Sequence, residues 1–169
     1  NNHTIFPFSF LKGYIDEPLI IIKNENVINC CSNVCTHRAH LVVSESCNIN
    51  KLRCPYHSRT YNLDGTFNSM RGFEDVKNFP TERDNLQSIP TLKWNNFIFA
   101  SLNPSIDMTP VLNDIEIRLP SFPFDELTHD ENNSASWEID AHWALYCENY
   151  LEGFHVPFVH KGLSKDIDV

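Results

Sequence analysis

Cys35-Thr36-His37-Arg38 and Cys54-Pro55-Tyr56-His57 are the two stretches on which the reading of this chain turns. Each offers a thiolate and an imidazole a few residues apart, as a tight loop would present them, and sixteen residues separate His37 from Cys54. Two cysteines and two histidines can hold a structural zinc ion, or a [2Fe–2S] cluster in which imidazoles replace two of the thiolates. Zinc spacing usually pairs Cys with Cys and His with His, whereas both pairs here are mixed. Two mixed loops facing each other would supply both sulfurs to one iron and both imidazoles to the other.

The surrounding sequence reads as short antiparallel strands. Leu19-Ile20-Ile21-Ile22 and Val27-Ile28 flank the polar Lys23-Asn24-Glu25-Asn26, a hairpin pattern. Tyr61-Asn62-Leu63 and Thr66-Phe67 flank Asp64-Gly65, the signal for a type I′ turn. Thr91-Leu92-Lys93-Trp94 and Phe97-Ile98-Phe99-Ala100 predict another hairpin turning at Asn95-Asn96. Cys30 and Cys31, adjacent on a strand, are expected to point to opposite faces and, with Cys47 and Cys147, to be packing residues. Pro104, Pro110, Pro120 and Pro123 then break the pattern, which places a domain junction at about 104–110. Residues 1–13 are expected to be an N-terminal remnant, 14–106 a small β domain, and 107–169 a linker followed by the start of a second domain. In that last part Ser136 to Ala141 alternates like a strand, and Trp143 to Phe154 predicts a helix ended by Pro157.

The two loops, with the flanking Arg38 and the Pro55-Tyr56 insertion, resemble the C-x-H…C-x-x-H signature of Rieske proteins. The resemblance implies an antiparallel β-sandwich with two cluster-binding loops, and Cys35, His37, Cys54 and His57 as the [2Fe–2S] ligands. Neutral imidazoles on one iron raise the potential to roughly −150 to +300 mV, against about −400 mV for plant-type ferredoxins. Respiratory-chain members carry an extra Cys in each loop; here His40 and Tyr56 stand at those places, which implies the ferredoxin and oxygenase branch. One departure is plain. Oxygenases commonly continue the second loop as His-Gly-Trp, and this chain has His57-Ser58-Arg59.

Glu148-Asn149-Tyr150-Leu151-Glu152-Gly153-Phe154-His155 runs on to His160. On a continuous helix Glu148, Glu152 and His155 would share a face, and a break at Pro157 would let His160 swing back beside them. Two histidines and one carboxylate on one side of an iron form the facial triad of non-haem Fe(II) oxygenases. The segment resembles the E-N-Y-x-E-x-x-H-x-x-x-x-H stretch that opens the catalytic domain of Rieske oxygenase α-subunits, which implies that the β domain is followed by the α+β start of a catalytic domain. That resemblance implies His155 and His160 as mononuclear iron ligands and Glu152 as the acid bridging to a cluster histidine of a neighbouring subunit. Glu148 and Asn149 would lie close by. The third iron ligand is expected beyond the chain end, with Asp166 and Asp168 in a solvated tail, so the chain by itself is expected to lack turnover. Glu as the bridging acid occurs in relatives acting on quaternary ammonium compounds.

The implied function is a terminal oxygenase component that takes electrons from an NAD(P)H-dependent reductase or a ferredoxin. It would use O₂ to hydroxylate or dealkylate a small organic substrate, in a head-to-tail homo-oligomer such as a trimer. The alternative is a stand-alone Rieske ferredoxin-like electron carrier. Composition narrows the other partners. A net charge of −9 argues against nucleic acid, and no run approaches the ~18 apolar residues of a membrane span. Cysteines without a secretory pattern make the cytoplasm the expected compartment.

Overall fold

The computed structural model describes residues 3–24 and 27–166. It divides into two compact units, Asn1–Thr128 and His129–Val169. The first holds eight described strands in three antiparallel sheets. One sheet is built from β1 (His3–Phe10), β2 (Glu17–Asn24) and β3 (Val27–Ser32). A second joins β4 (Leu52–Arg53), β5 (Thr60–Tyr61) and β6 (Phe67–Ser69). The third is the predicted hairpin of β7 (Thr91–Trp94) and β8 (Phe97–Ala100).

β2 explains why its sequence is an unbroken apolar run instead of an alternating one. Its two faces are both covered. Ile20 and Ile22, with Ile5 and Cys31, pack in a core shared with Leu52, Cys54 and Tyr61 of the second sheet. Leu19 and Ile21 point the other way, with Cys30, Ile89, Phe8, Phe10 and Ala100. Cys30 and Cys31 thus face opposite cores, and burial raises their thiols to about 11 and about 12, as inert packing groups.

Four local expectations change. Residues 3–10, expected as an N-terminal remnant with no element assigned, form a strand: β1 pairs with β2 along its whole length, from His3↔Asn24 to Phe10↔Glu17, and Ile5 is fully buried. Its aromatic residues alternate about a proline, which an edge strand tolerates because one side of its backbone has no ladder to fill. The turn at Asp64-Gly65 is not type I′. Gly65 has φ +87° but Asp64 is not left-handed, and the Gly65 amide donates to the Asn62 carbonyl at 3.0 Å. That is a type I turn closed by a left-handed glycine; a separate irregularity between Thr60 and Tyr61 shifts the register farther along the pair.

The first unit also runs past 106. α1 (Thr109–Arg118) returns to the third sheet, where the Trp94 indole and the Asn95 amide donate to Glu116 at 2.7 and 3.1 Å. Asn96 donates to the carbonyls of Asp125 and Leu127, and Phe124 packs 4.7 Å from Trp94. Side-chain donors at a hairpin tip therefore hold the proline-rich stretch that composition alone assigns to a linker. In the second unit residues 136–141 form no strand; alternation needs a sheet edge to pair with, and the described residues of that unit hold no strand.

Candidate metal centres

The two Cys/His loops close by one rule. The Cys35 amide donates to the His40 carbonyl at 2.8 Å, and the Cys54 amide to the Arg59 carbonyl at 2.8 Å. Within each loop the fourth residue after the cysteine donates back to it, Ala39 at 2.9 Å and Ser58 at 3.0 Å. Those two residues hold φ of +51° and +58°, a left-handed turn that costs of order 1–3 kcal/mol each. Equal turns close both loops despite the unequal spacing of Cys-x-His and Cys-x-x-His.

Sulfur lies inside and imidazole outside. Cys35 and Cys54 are 2% and 1% exposed, while His37 is half-buried and His57 exposed. The two thiols are neighbours: burial pushes the Cys54 pKa up, the backbone of Tyr56 and His57 pulls it back, and Cys35 beside it pushes it up again. The two imidazole rings lie 4.7 Å apart at 74°, close enough for both nitrogens to reach one iron at ~2.1 Å. Nδ1 of His37 is buried and has no hydrogen-bond partner. A native fold seldom leaves such an atom unsatisfied, and a metal bond would satisfy it. Burial first, then the charges of His57, Arg38 and Arg59, hold the His37 pKa below its ordinary range, which favours the neutral ring that metals bind. Among the described residues no three His, Cys, Asp or Glu groups converge as a single-ion set. The four groups stand as a sulfur pair and an imidazole pair, an arrangement that fits two irons better than one tetrahedral zinc.

Three further groups complete this site. The Tyr61 hydroxyl lies 3.2 Å from the Cys35 sulfur, accepts from the Thr36 amide at 3.1 Å, and lies 3.0 Å from the Thr36 hydroxyl. Burial, then the contact with Cys35, raises the phenol to about 12, so it keeps its proton. Arg59, 3% exposed, pairs with Asp84 at 2.5 Å. Sequence reading places Tyr61 only as a strand residue and Arg59 only as a departure. The findable signal was an arginine set between the ligand loop and an apolar hairpin. Asp84 gave none.

The second candidate centre lies in the second unit. α2 (Trp143–Leu151) is capped at its start by His142, whose Nδ1 accepts from the Ala144 amide at 3.2 Å. It ends three residues short of the expected Phe154, with Glu152 extended as its C-cap. Gly153 follows, and α3 (Val156–Val159) begins anew with Pro157 in its first turn. Pro157 therefore starts a helix where it was expected to break one, since its fixed φ and missing N–H suit a first turn. Glu148, Glu152 and His155 do not share a continuous helical face. The kink still brings Nδ1 of His155 against the Glu152 carboxylate, and that bond holds the Glu152 pKa below its usual range. With Nδ1–H given to Glu152, Nε2 of His155 is left as the acceptor a metal needs.

The His160 ring lies 5.3 Å from that of His155 at 76°. Both line an open cleft of about 510 Å³ with Asn149, Tyr150 and Glu152. Glu148 stays exposed and outside that lining. No third ligand joins the two histidines among the described residues, Asp166 included; Asp168 lies outside them.

Residues 10–80 match the Rieske [2Fe-2S] domain, a segment that takes in both Cys/His loops. Relatives extend the likeness beyond that domain. The carnitine monooxygenase oxygenase subunit of Escherichia coli (strain K12) is 29% identical over 167 residues, 94% of this chain and 43% of that protein. The chloroplastic choline monooxygenase of Beta vulgaris is 26% identical over 157 residues, 90% of this chain and 35% of that enzyme. In fold, the quaternary ammonium Rieske monooxygenase CntA with L-carnitine superposes with a TM-score of 0.70 at 22% identity, covering 100% of this chain and 48% of that one. Naphthalene 1,2-dioxygenase from Rhodococcus sp. gives 0.63 at 22% identity, over 98% of this chain and 39% of that one. The chain carries a Rieske domain and is similar beyond it to oxygenase subunits, of whose length it spans less than half. No described helix is long and apolar enough to cross a membrane.

Proposed function

We propose that this chain is the cluster-bearing part of a terminal oxygenase subunit, with Cys35, His37, Cys54 and His57 as [2Fe–2S] ligands and His155 and His160 as ligands of a mononuclear Fe(II). When bound, the cluster supplies one-electron storage, and the Fe(II) supplies O₂ activation for hydroxylation or dealkylation of an organic substrate. The observation that carries the reading is the Glu152–His155 contact, which fixes one imidazole tautomer beside a second imidazole in a cleft. A stand-alone electron carrier has no use for that second set.

Each group then has a task. Cys35 and Cys54 hold their end in the dry core, and His37 and His57 present the other end at the surface, where an electron enters or leaves. Glu152 holds the Nδ1 proton of His155 and, extended at the end of α2, is the group we assign to meet a cluster histidine of a neighbouring subunit. Electrons would come from an NAD(P)H-dependent reductase or ferredoxin, in a ring of subunits in the cytoplasm. For substrate we propose a small quaternary ammonium compound, since carnitine and choline are named for the relatives above and aromatic rings such as Tyr150 in the cleft attract such cations.

The test begins with the purified chain. It should be red-brown, carry two irons and two sulfides in the first unit by reading, and give a low-average-g EPR signal when reduced. A colourless protein with zinc would overturn the cluster. The substrate class is tested in a complete subunit by reoxidation of the reduced protein under O₂ with carnitine, choline or naphthalene. Acceleration by naphthalene alone would overturn the ammonium reading.

A further inference from the structure

Arg59 is an unusual residue to find at 3% exposure. Its Nη2 donates to Asp84 at 2.5 Å, and its guanidinium lies 5.0, 5.5 and 5.9 Å from the ring centres of Phe67, Phe79 and Tyr61. Its Nε is buried without a partner. Buried ion pairs are often no more stabilising than well-packed apolar residues, because both charges lose their water. What such a pair does supply is a fixed field and a fixed connection.

The connections here run to both cluster loops. The Arg59 carbonyl accepts the Cys54 amide at 2.8 Å, closing the second loop. The Asp84 carbonyl accepts the Thr36 hydroxyl at 2.8 Å, one residue past Cys35 in the first loop. The Asp84 carboxylate is itself anchored by the Thr81 amide at 2.7 Å and the Thr81 hydroxyl at 3.0 Å. The side-chain bond between Arg59 and Asp84 is therefore a charged link that ties one loop to the other, beside the Tyr61 contacts with Cys35 and Thr36.

Resting on the reading that Cys35, His37, Cys54 and His57 hold the cluster, we propose that Arg59 and Asp84 are a positioning pair that joins the two ligand loops and sets the reduction potential of the group between them. Reduction adds one negative charge between the loops. The guanidinium favours that charge and the carboxylate opposes it, and low-dielectric surroundings leave both effects unscreened. The two residues consequently pull the potential in opposite directions, although each removal breaks the same link.

That opposition is the test. The wild-type chain is reconstituted with iron and sulfide, and its potential is measured by dye-mediated redox titration beside Arg59→Met, Asp84→Asn, the double variant and Arg59→Lys. Arg59→Met is expected to lower the one-electron reduction equilibrium about tenfold or more, which is ~59 mV. Asp84→Asn is expected to raise it by a similar factor, the double variant to return close to wild type, and Arg59→Lys to keep most of the wild-type value. Shifts of one sign in both single variants would mean a merely structural link and overturn the proposal, as would changes below about twofold in both. Should Arg59→Met fail to fold, the sign in Asp84→Asn decides: a rise supports the proposal and a fall overturns it. A wild-type chain that takes up no cluster fails at the first step, with the ligand reading itself, before any variant is compared.

Discussion

Replacing Tyr61 by Phe removes one oxygen from a fully buried ring and leaves the packing volume almost unchanged. That oxygen has one proton to give and two groups to receive it. The Thr36 hydroxyl spends its own proton on the Asp84 carbonyl at 2.8 Å, so toward Tyr61 it can only accept. The Cys35 sulfur, 3.2 Å away, is the competing acceptor, and a thiolate takes the stronger, charge-assisted bond. A donor to a ligand sulfur stabilises the electron-rich, reduced state. If about 1 kcal/mol of such a bond distinguishes the two redox states, its loss lowers the potential by ~40 mV for a one-electron couple. The Thr36 amide also loses its acceptor, at a net cost of about 1–2 kcal/mol. For a chain of this size that is a fall in Tm of roughly 3–6 °C. Redox titration and thermal unfolding of the same preparation measure the two effects. Thr36→Val supplies the opposite control, because it frees the phenol for sulfur alone and should hold or raise the potential. A Tyr61→Phe protein with a lower Tm and an unchanged potential would show that the proton belongs to Thr36, and would refute the bond to Cys35.

Two further outcomes follow from single contacts. Glu152→Ala removes the acceptor that fixes His155 Nδ1–H, so Fe(II) or Zn(II) titration of the second unit's site should show affinity weaker by about 10–100-fold; an unchanged isotherm would separate Glu152 from metal binding. Burial pushes the Asp84 carboxyl up, but the Thr81 amide and the Arg59 guanidinium outweigh it and hold it below the ordinary range. Its contribution to folding is therefore present above the unfolded carboxyl value of ~3.9 and lost as pH falls through the lowered folded value, so urea unfolding between pH 6 and pH 3 should lose less stability in Asp84→Asn than in wild type, and parallel losses would refute it.

What the sequence made legible was whatever local chemistry decides. The mixed Cys/His loops, the Asn95-Asn96 hairpin and the opposed faces of Cys30 and Cys31 each depend on neighbours within a few residues. The strand at His3–Phe10 was hidden because its partner is another segment, and its aromatic alternation is interrupted by Pro7. Residues 109–127 were hidden for the same reason: three asparagine and tryptophan donors on a hairpin tip hold them, and no composition shift announces a hydrogen bond. In the second unit spacing put Glu152 and His155 side by side on a helix, and the helix joining them is not there. Their contact survives because a three-residue separation meets across a kink as well as along a turn. Tyr61 and Asp84 reach the site from 25 and 48 positions beyond Thr36, distances at which no sequence pattern operates.

The depth of those distant residues bears on how the first site can work. Ile5, Ile20, Ile22, Leu52 and Tyr61 form a floor with 0% exposure beneath the two cysteines. Cys54 and Cys35 are 1% and 2% exposed, so polar contacts to the sulfurs come from the protein, as the Tyr61 hydroxyl does 3.2 Å from Cys35. Bonds of fixed number to sulfur are one of the levers that set an iron–sulfur potential, with charge and solvent exposure as the others. At the opposite rim His57 and Tyr56 are exposed, their rings 3.9 Å apart, and Tyr56 reaches across to His40 of the other loop at 5.7 Å. A change at the floor should therefore move the potential while leaving electron exchange with a partner intact, and a change at Tyr56 should do the reverse. The two-faced β2 strand makes this division possible, because it buries one face under the sulfurs and spends the other on the third sheet, leaving the loops themselves free to face outward.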